Sequence, residues 1–329
     1  MSGADAFDGR RVLVTGGLGF LGSNLAIRLV RLGARVTLLD SLLPHFGGAL
    51  ANVAPVRDAL VVNISDMRDP NSLDILVEGQ DYIFNLAGQV SHGDSMRDPQ
   101  LDLGVNCVST MNLVESCRKH NSAARMLYTS TRQVYGRPQK LPVTEEHPTL
   151  PIDVNGINKL AAEYYHLLYH ATYGIRSTVL RLTNTYGPRQ QIRNNRQGFA
   201  SVFLRQALRG ETISLYGGGG QLRDFNYVDD VVNAMLLAIT NEACLGQTFN
   251  LGSEKSYSLI QFVDTLKKFC KFKVESVPFP DDKKIIDIGD YYGDFSKFEA
   301  RTRWRPRVEL EEGLEQTIAF YREHKDIYW

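Results

Sequence analysis

Val12-Leu-Val-Thr-Gly-Gly-Leu-Gly-Phe-Leu-Gly22 decides the fold of this chain. Its apolar start, Arg11 to Val14, reads as a buried parallel strand. The strand breaks at Gly16, Gly19 and Gly22, a G-x-x-G-x-x-G spacing. Leu21, Leu25, Leu29 and Leu32 then recur at helical intervals until Gly33 ends the segment. Strand, tight turn and helix N-terminus thus follow one another. The turn needs glycine because the backbone bends sharply there and must touch a pyrophosphate. The first amides of the helix and its positive end would hold the phosphates.

Arg35-Val-Thr-Leu-Leu39 reads as the second strand, with Asp40 at its C-terminal end. An acid about 20 residues past the glycines accepts hydrogen bonds from the adenosine ribose hydroxyls. A carboxylate there also repels a 2′-phosphate, and Ser41-Leu42-Leu43 has no arginine to bind one. NAD is therefore favoured over NADP.

The 329 residues are 43% hydrophobic, enough for a large core in one elaborate domain or two. Lys plus Arg number 37 and Asp plus Glu 37, so the formal net charge is +0. That balance gives no bulk electrostatic case for nucleic acid or an anionic membrane as partner. Met1 to Arg10 contains no apolar signal core, and no run approaches membrane-spanning length. Cys107, Cys117, Cys244 and Cys270 are scattered without a C-x-x-C pair. Buried thiols in a reducing cytoplasm are the expectation.

Beyond Asp40 the alternation continues, with strands expected at 59–64, 81–85, 125–129 and 177–182. Helices are expected between them at 69–77, 98–120 (Pro99 in its first turn) and 156–173. Crossovers this long imply a parallel doubly wound sheet, with ligands at the C-terminal strand ends. From about Gly187 the pattern changes to arginine-bearing loops, a Gly217-Gly-Gly-Gly220 turn and shorter helices such as 259–269 and 310–324. The expected division is a dinucleotide-binding domain over 1–186 and a smaller substrate-binding domain over 187–329. The two interleave, because a helix near 229–240 reads as packing back on the first sheet.

Four strands end in chemistry-bearing segments: Asp66-Met67, Leu86-Ala-Gly-Gln89, Thr129-Ser-Thr131 with Val134-Tyr-Gly136, and Thr183-Asn-Thr-Tyr-Gly-Pro188. Together they ring one crevice. The motifs T-G-G-x-G-F-x-G, N-L-A-G-Q-V, Y-T-S-T-x-x-V-Y-G, K-L-A-A-E, T-N-T-Y-G-P-R and L-R-D-F-N-Y-V-D-D resemble those of an extended short-chain dehydrogenase/reductase. The likeness is to the NAD-dependent nucleotide-sugar epimerase/dehydratase branch, nearest the UDP-glucose 4-epimerase pattern, and covers nearly the whole chain. It implies a Rossmann-type doubly wound parallel sheet that retains NAD, and a smaller C-terminal α/β domain binding a nucleoside diphosphate sugar. It also implies chemistry that begins with hydride transfer from a sugar carbon, usually C4, to NAD.

By the same resemblance, Gly16, Gly19, Phe20, Leu21 and Gly22 would form the pyrophosphate loop. Asp40 would hold the ribose, and Asp66 with Met67 the adenine edge. Leu86, Ala87 and Gly88 would flank the nicotinamide-side ribose, with Asn106 and Thr129 also on the cofactor. Thr131 would bond the reacting sugar hydroxyl, and Lys159 the nicotinamide ribose. Asn184 and Arg223 would contact the diphosphate, and Tyr216 the nucleobase. The arginine reading has independent merit, because a guanidinium fork suits two phosphate oxygens.

The resemblance fails at its centre. The family's Tyr-x-x-x-Lys pair places a phenol and an ammonium on one helix face, where the ammonium favours the phenolate base. Here Asn155 stands four residues before Lys159. An amide is no base near neutral pH. Asp153, Tyr135, His92, or Lys159 through water could take the proton instead. Tyr135 reads as packing, His92 as a loop histidine and Asp153 as a helix cap. Alternatively Asn155 orients the sugar and the reaction starts from a keto-sugar, or the site binds NAD and nucleotide sugar without turnover. An engineered Tyr→Asn change is a further alternative, of which the flanking residues give no sign. Arg132-Gln133 follows Thr131 where dehydratase relatives carry an acidic pair, which disfavours dehydration. The late diphosphate arginine is also missing, and Lys283 or Lys284 could serve as a point charge.

Remaining signals are weaker. His166 and His170 have metal-pair spacing without a third ligand, so no metal is expected and an interface or solvent face is. The Arg189, Arg193, Asn194, Asn195, Arg196 loop reads equally as a phosphate contact or a solvated loop. Tyr164, Tyr165, Leu168 and Tyr169 exceed what one sheet face needs. The resemblance implies a homodimer through the helices near 98–120 and 156–173.

Overall fold

The apolar run becomes strand β1, Arg11–Thr15, with every side chain after Arg11 buried. A computed structural model describes residues 6–329, apart from the side chains of 282 and 283. Helix α1 is Phe20–Arg31, and Gly33 follows it with φ +81. Next come β2 (Arg35–Asp40), β3 (Leu60–Ile64), α2 (Pro70–Leu76), β4 (Tyr82–Asn85) and α3 (His92–Arg97). Segment α4 spans 99–120, then β5 (Arg125–Thr131), α5 (Val154–Tyr173) and β6 (Arg176–Leu182). Beyond these lie β7 (Asn184–Tyr186), α6 (Gly198–Arg209), β8 (Ile213–Tyr216), β9 (Leu222–Tyr227), α7 (Val228–Thr240), β10 (Thr248–Asn250), β11 (Ser256–Ser258) and β12 (Val274–Val277).

The main sheet has order β10-β6-β5-β4-β1-β2-β3, with every pairing parallel. Alternate side chains on each strand enter different cores. Val12, Val14, Val36 and Leu38 join Leu25 and Leu29 of α1 and Val231 and Met235 of α7. Leu13, Leu39, Ile83 and Met126 join Leu73 of α2 and Leu113, Val114 and Cys117 of α4. A strand buried on both faces needs a continuous apolar run, which is what residues 12–14 supply. Chain order reverses between β1 and β4, and a parallel sheet opens its ligand crevice at such a point. Strands β11-β9-β7 form a second small sheet, and β12-β8 a third.

The helix expected over 98–120 is not continuous. It runs as Pro99–Asp102, a π-helical turn Leu103–Val108, and Ser109–His120. Asp98 starts it by accepting from Leu101 N at 3.0 Å. The short α3 before it has no periodic apolar signal and was not expected; Ser91 caps it by accepting from Asp94 N. His166 is not on a solvent or interface face. It is fully buried between Ser177 Oγ (2.7 Å) and Asn85 Nδ2 (3.2 Å), with burial pushing its pKa down to about 3. The four cysteines are free and buried. No described helix is long and apolar enough to cross a membrane, and no metal-holding group of acids, His or Cys occurs among the described residues.

Candidate active site

The glycine turn shows why its residues are glycines. A Cβ on Gly22 would stand 2.2 Å from the Gly16 carbonyl oxygen, and one on Gly16 (φ +63) 2.9 Å from Ala87 N. Backbone cannot yield at those distances. Helix α1 begins at Gly19 with no side-chain cap and no acid in its first turn. Its leading amides therefore remain open to an anion.

The cleft above this turn is lined by Gly16, Gly19, Phe20, Leu21, Gly22, Asp40, Asp66, Met67, Leu86, Ala87 and Gly88, which brings eleven of the expected cofactor residues to one place. Asp40 accepts from Leu18 N at 3.0 Å and Leu42 N at 2.9 Å, while burial pushes its carboxyl above the usual range. Asp66 is held by Arg68, whose hydrogen bonds keep its carboxyl low. Asn106 stands behind the cleft wall. Its amide donates to Gln89 O (3.1 Å) and accepts from Gln89 N (3.2 Å), so it fixes the strip that carries Gly88.

The arginine-rich loop is partly solvated, with Arg193 and Asn195 exposed, and it is also tied down by its own side chains. Arg189 donates to Asn52 O and Asn24 Oδ1, and Arg193 to Ile327 O, so both are structural. Gln191 and Asn194 donate to His45 O, and Gln197 to Phe46 O. Phe46 and Gln197 also line the cleft. The loop is thus a clasp over the cofactor crevice, and Arg196 pins it to Asp94 of α3 at 2.9 Å.

Further along the crevice, Lys159 Nζ donates to Thr129 O at 3.2 Å, and a Cβ on Gly88 would lie 3.0 Å from it. Burial pushes this ammonium down to about 8, against the pull of Asp102 and Glu163. Thr131 ends β5 and accepts from Gln133 N at 3.3 Å. Asn155 is buried, and its Nδ2 donates to Gln89 O (2.8 Å) and Asp102 Oδ2 (3.3 Å). Asn158, one turn on, donates to Asp102 Oδ1 at 2.7 Å. Two asparagines thus clamp a fully buried acid, an arrangement the sequence reading missed. The signal was there: two polar residues at i and i+3 on the inner face of α5 imply a buried polar partner.

Tyr135 packs, as expected. Its hydroxyl donates to Asn250 Oδ1 and accepts from Arg181, both at 2.7 Å, and burial pushes it up to about 12. Asp153 does cap α5, accepting from Gly156 N at 2.6 Å, but its other oxygen faces His92 Nδ1 at 3.0 Å. Of the residues expected at the substrate, Asn184 donates to Asp224 O (2.9 Å) and accepts from Arg132 (3.1 Å). Arg132 lies over the Tyr291 ring. Arg223 is buried and donates to Gly289 O and Asp287. Burial, then Arg132, hold it down to about 10. Tyr216 stands against Phe279, ring centres 5.6 Å apart. Lys284 is exposed, and the Lys283 side chain lies outside the described residues.

Comparison with known proteins decides the family. A profile described as the NAD dependent epimerase/dehydratase family matches residues 12–252. The chain belongs to this family. Among curated members of such proteins, a putative UDP-glucose 4-epimerase of Methanocaldococcus jannaschii is 32% identical, over 93% of this chain and 97% of that one. A UDP-glucuronic acid decarboxylase 1 of Xenopus tropicalis is also 32% identical, over 96% of this chain and 73% of its own. The UDP-glucose 4-epimerase of Thermotoga maritima, solved with UDP-glucose, superposes with TM-score 0.87 at 31% identity, over 96% and 99% of the two chains. The residues here fit the NAD of the epimerase/dehydratase family: an uncapped helix N-terminus, glycines with no room for a Cβ, and Asp40 at the far end of one cleft.

Proposed function

We propose that this chain is an NAD-dependent epimerase of a nucleoside diphosphate sugar, acting by transient oxidation of the sugar, at C4 as the first expectation. The observation that supports this reading is the approach of Lys159 to the Gly88 strip and to the Thr129 carbonyl at the end of β5, the strand that Thr131 closes. Arg132 and Arg223 lie close enough to feel each other's charge. NAD, when bound in the cleft, would supply the reversible hydride acceptor that this chemistry needs. Thr131 holds the reacting hydroxyl, Lys159 places its charge beside the nicotinamide ribose, and the arginines face the diphosphate. Tyr216 lies beside the nucleobase. Arg132 and Gln133 offer no carboxyl for eliminating water, which favours epimerisation over dehydration.

A second reading draws on Asn155, whose amide nitrogen is already committed to Gln89 and Asp102. A keto-sugar oxidoreductase, or a binding protein without turnover, would need no base there. The two readings separate on NAD-loaded protein given UDP-, dTDP-, GDP- and CDP-sugars in turn. Absorbance in the reduced-nicotinamide band should rise with one of them, and chromatography should find a new isomer. Silence across the panel, with thermal stabilisation by the same ligands, would sink the epimerase reading.

The working unit is a homodimer in this reading, in a reducing cytoplasm that suits four free thiols. Ile157, Tyr164 and Leu168 are each more than half exposed on one face of α5. Tyr165 and Tyr169 instead pack inward. Large apolar side chains grouped on one helix face mark an interaction surface. Sedimentation should give a dimer, and Tyr164→Glu with Leu168→Glu a folded monomer; a wild-type monomer would remove this part of the reading.

A further inference from the structure

Three segments meet beside Thr131: the turn after β4 that leads into α3, the turn after β5, and the N-terminus of α5. His92 opens the first, Gln133 lies in the second and Asp153 begins the third. The Asp153 side chain is 1% exposed. Its Oδ1 is fixed by Gly156 N. Its Oδ2 accepts from Gln133 Nε2 at 2.9 Å and faces His92 Nδ1 at 3.0 Å. A carboxylate only accepts, so His92 donates from Nδ1 and its lone pair is left on Nε2. The 3.4 Å approach of Gln133 Nε2 to His92 Nδ1 is then two donors converging on one acceptor. A buried carboxylate that fixes the tautomer and steadies the imidazolium is how an acid orients a histidine base. The His92 side chain is 32% exposed, so the ring is not sealed in the core. Gln133 links the pair to the reacting position, because its backbone N–H bonds the Thr131 hydroxyl.

We propose that His92, oriented by Asp153, is the general base and acid that stands in for the missing tyrosine. This rests on the epimerase reading. The sugar C–H bond gives its hydrogen with both electrons to NAD. The hydroxyl oxygen forms the second C–O bond with the pair from its O–H bond, and that proton goes to His92 Nε2. After the keto-sugar turns over, the hydride comes back to its other face and His92 returns the proton to the oxygen. Electrons and protons balance with no outside oxidant. The other candidates are engaged elsewhere: Tyr135 with Arg181 and Asn250, Lys159 with Thr129 O, and Asn155 is an amide.

The test uses NAD-loaded full-length protein. His92→Asn keeps a donor for Asp153 and removes the base. It should slow formation of reduced nicotinamide by about 10²- to 10⁴-fold while leaving bound NAD and the melting temperature unchanged. Free imidazole should restore part of the rate to His92→Ala. Asp153 is a positioning residue, and its readout is independent of turnover. The two-bond ¹H–¹⁵N spectrum of the histidine rings should show His92 as the Nδ1–H tautomer in wild type. Asp153→Asn, which keeps the helix cap, should abolish that preference. An active wild type with His92→Asn within about threefold of it would overturn the proposal and leave the epimerase reading intact. So would an Nε2–H tautomer. A wild type silent on every sugar would overturn the epimerase reading and the base role with it.

Discussion

Replacing Lys159 by Met should slow hydride transfer about 10²- to 10³-fold, the effect of removing one preorganised charge from a closed site. The same change should leave the protein at least as stable at about pH 7. Met is close to the lysine stem in volume, and the ammonium it removes is held at a cost. Burial, opposed by Asp102 and Glu163, lowers this group from 10.5 to about 8. An unfolded lysine keeps its proton through that interval while the folded one releases it. The unfolded chain therefore binds more protons between about 8 and 10.5, and wild-type stability from this group rises with pH there. Below about 8 the wild type carries the charged form at its full cost, so the advantage of Lys159→Met is largest there and shrinks above it. Thermal midpoints on both sides of this window, with stopped-flow absorbance for the hydride step, check both halves. A variant that turns over within about tenfold of wild type would remove Lys159 from the chemistry.

Glu163→Ala should cost about 3–5 kcal/mol of stability, because it strands a buried arginine. Arg181 donates to Glu163 from Nε (3.0 Å) and a terminal nitrogen (2.7 Å), and both side chains are under one-tenth exposed. Ser130 Oγ also donates to Glu163. Arg181 continues to the Tyr135 hydroxyl, which continues to Asn250. One acid thus ties α5 to β5, β6 and β10. Urea unfolding at an unchanged m-value measures the loss. Arg181→Met added to Glu163→Ala should recover much of it, since an apolar pair leaves no uncompensated charge. A single-variant loss under about 1 kcal/mol would mean that water reaches the arginine.

The parts of the fold that were legible are those with a period. Residues 11–40 carry a buried strand, a glycine turn, an amphipathic helix and a closing acid, each with its own local signature, and the structure follows them. Helix α3 has no apolar period and depends on the Ser91 cap, so nothing short of the fold announces it. The π turn at Leu103–Val108 is equally silent in sequence. At the site, that the glycines and acids would line one cleft was readable because their spacing is local. The Asp153–His92 pair and the Asp102 clamp join residues about fifty or more apart, and a single chain carries no local signal of such meetings. His166 misled for the opposite reason: an i, i+4 histidine spacing looks the same on a buried face as on an exposed one.

The clamp on Asp102 bears on which side chains position 155 can accept. A phenol placed at 155 would displace the amide that donates to Asp102, leaving Asn158 as the remaining side-chain donor to that acid. Its working form, the phenolate, would then stand beside a carboxylate with no exposed surface, and like charges in such a place raise each other's cost of ionisation. Residues 102, 155 and 158 are therefore coupled, and substitutions at 155 and 102 should not be additive in their effect on stability.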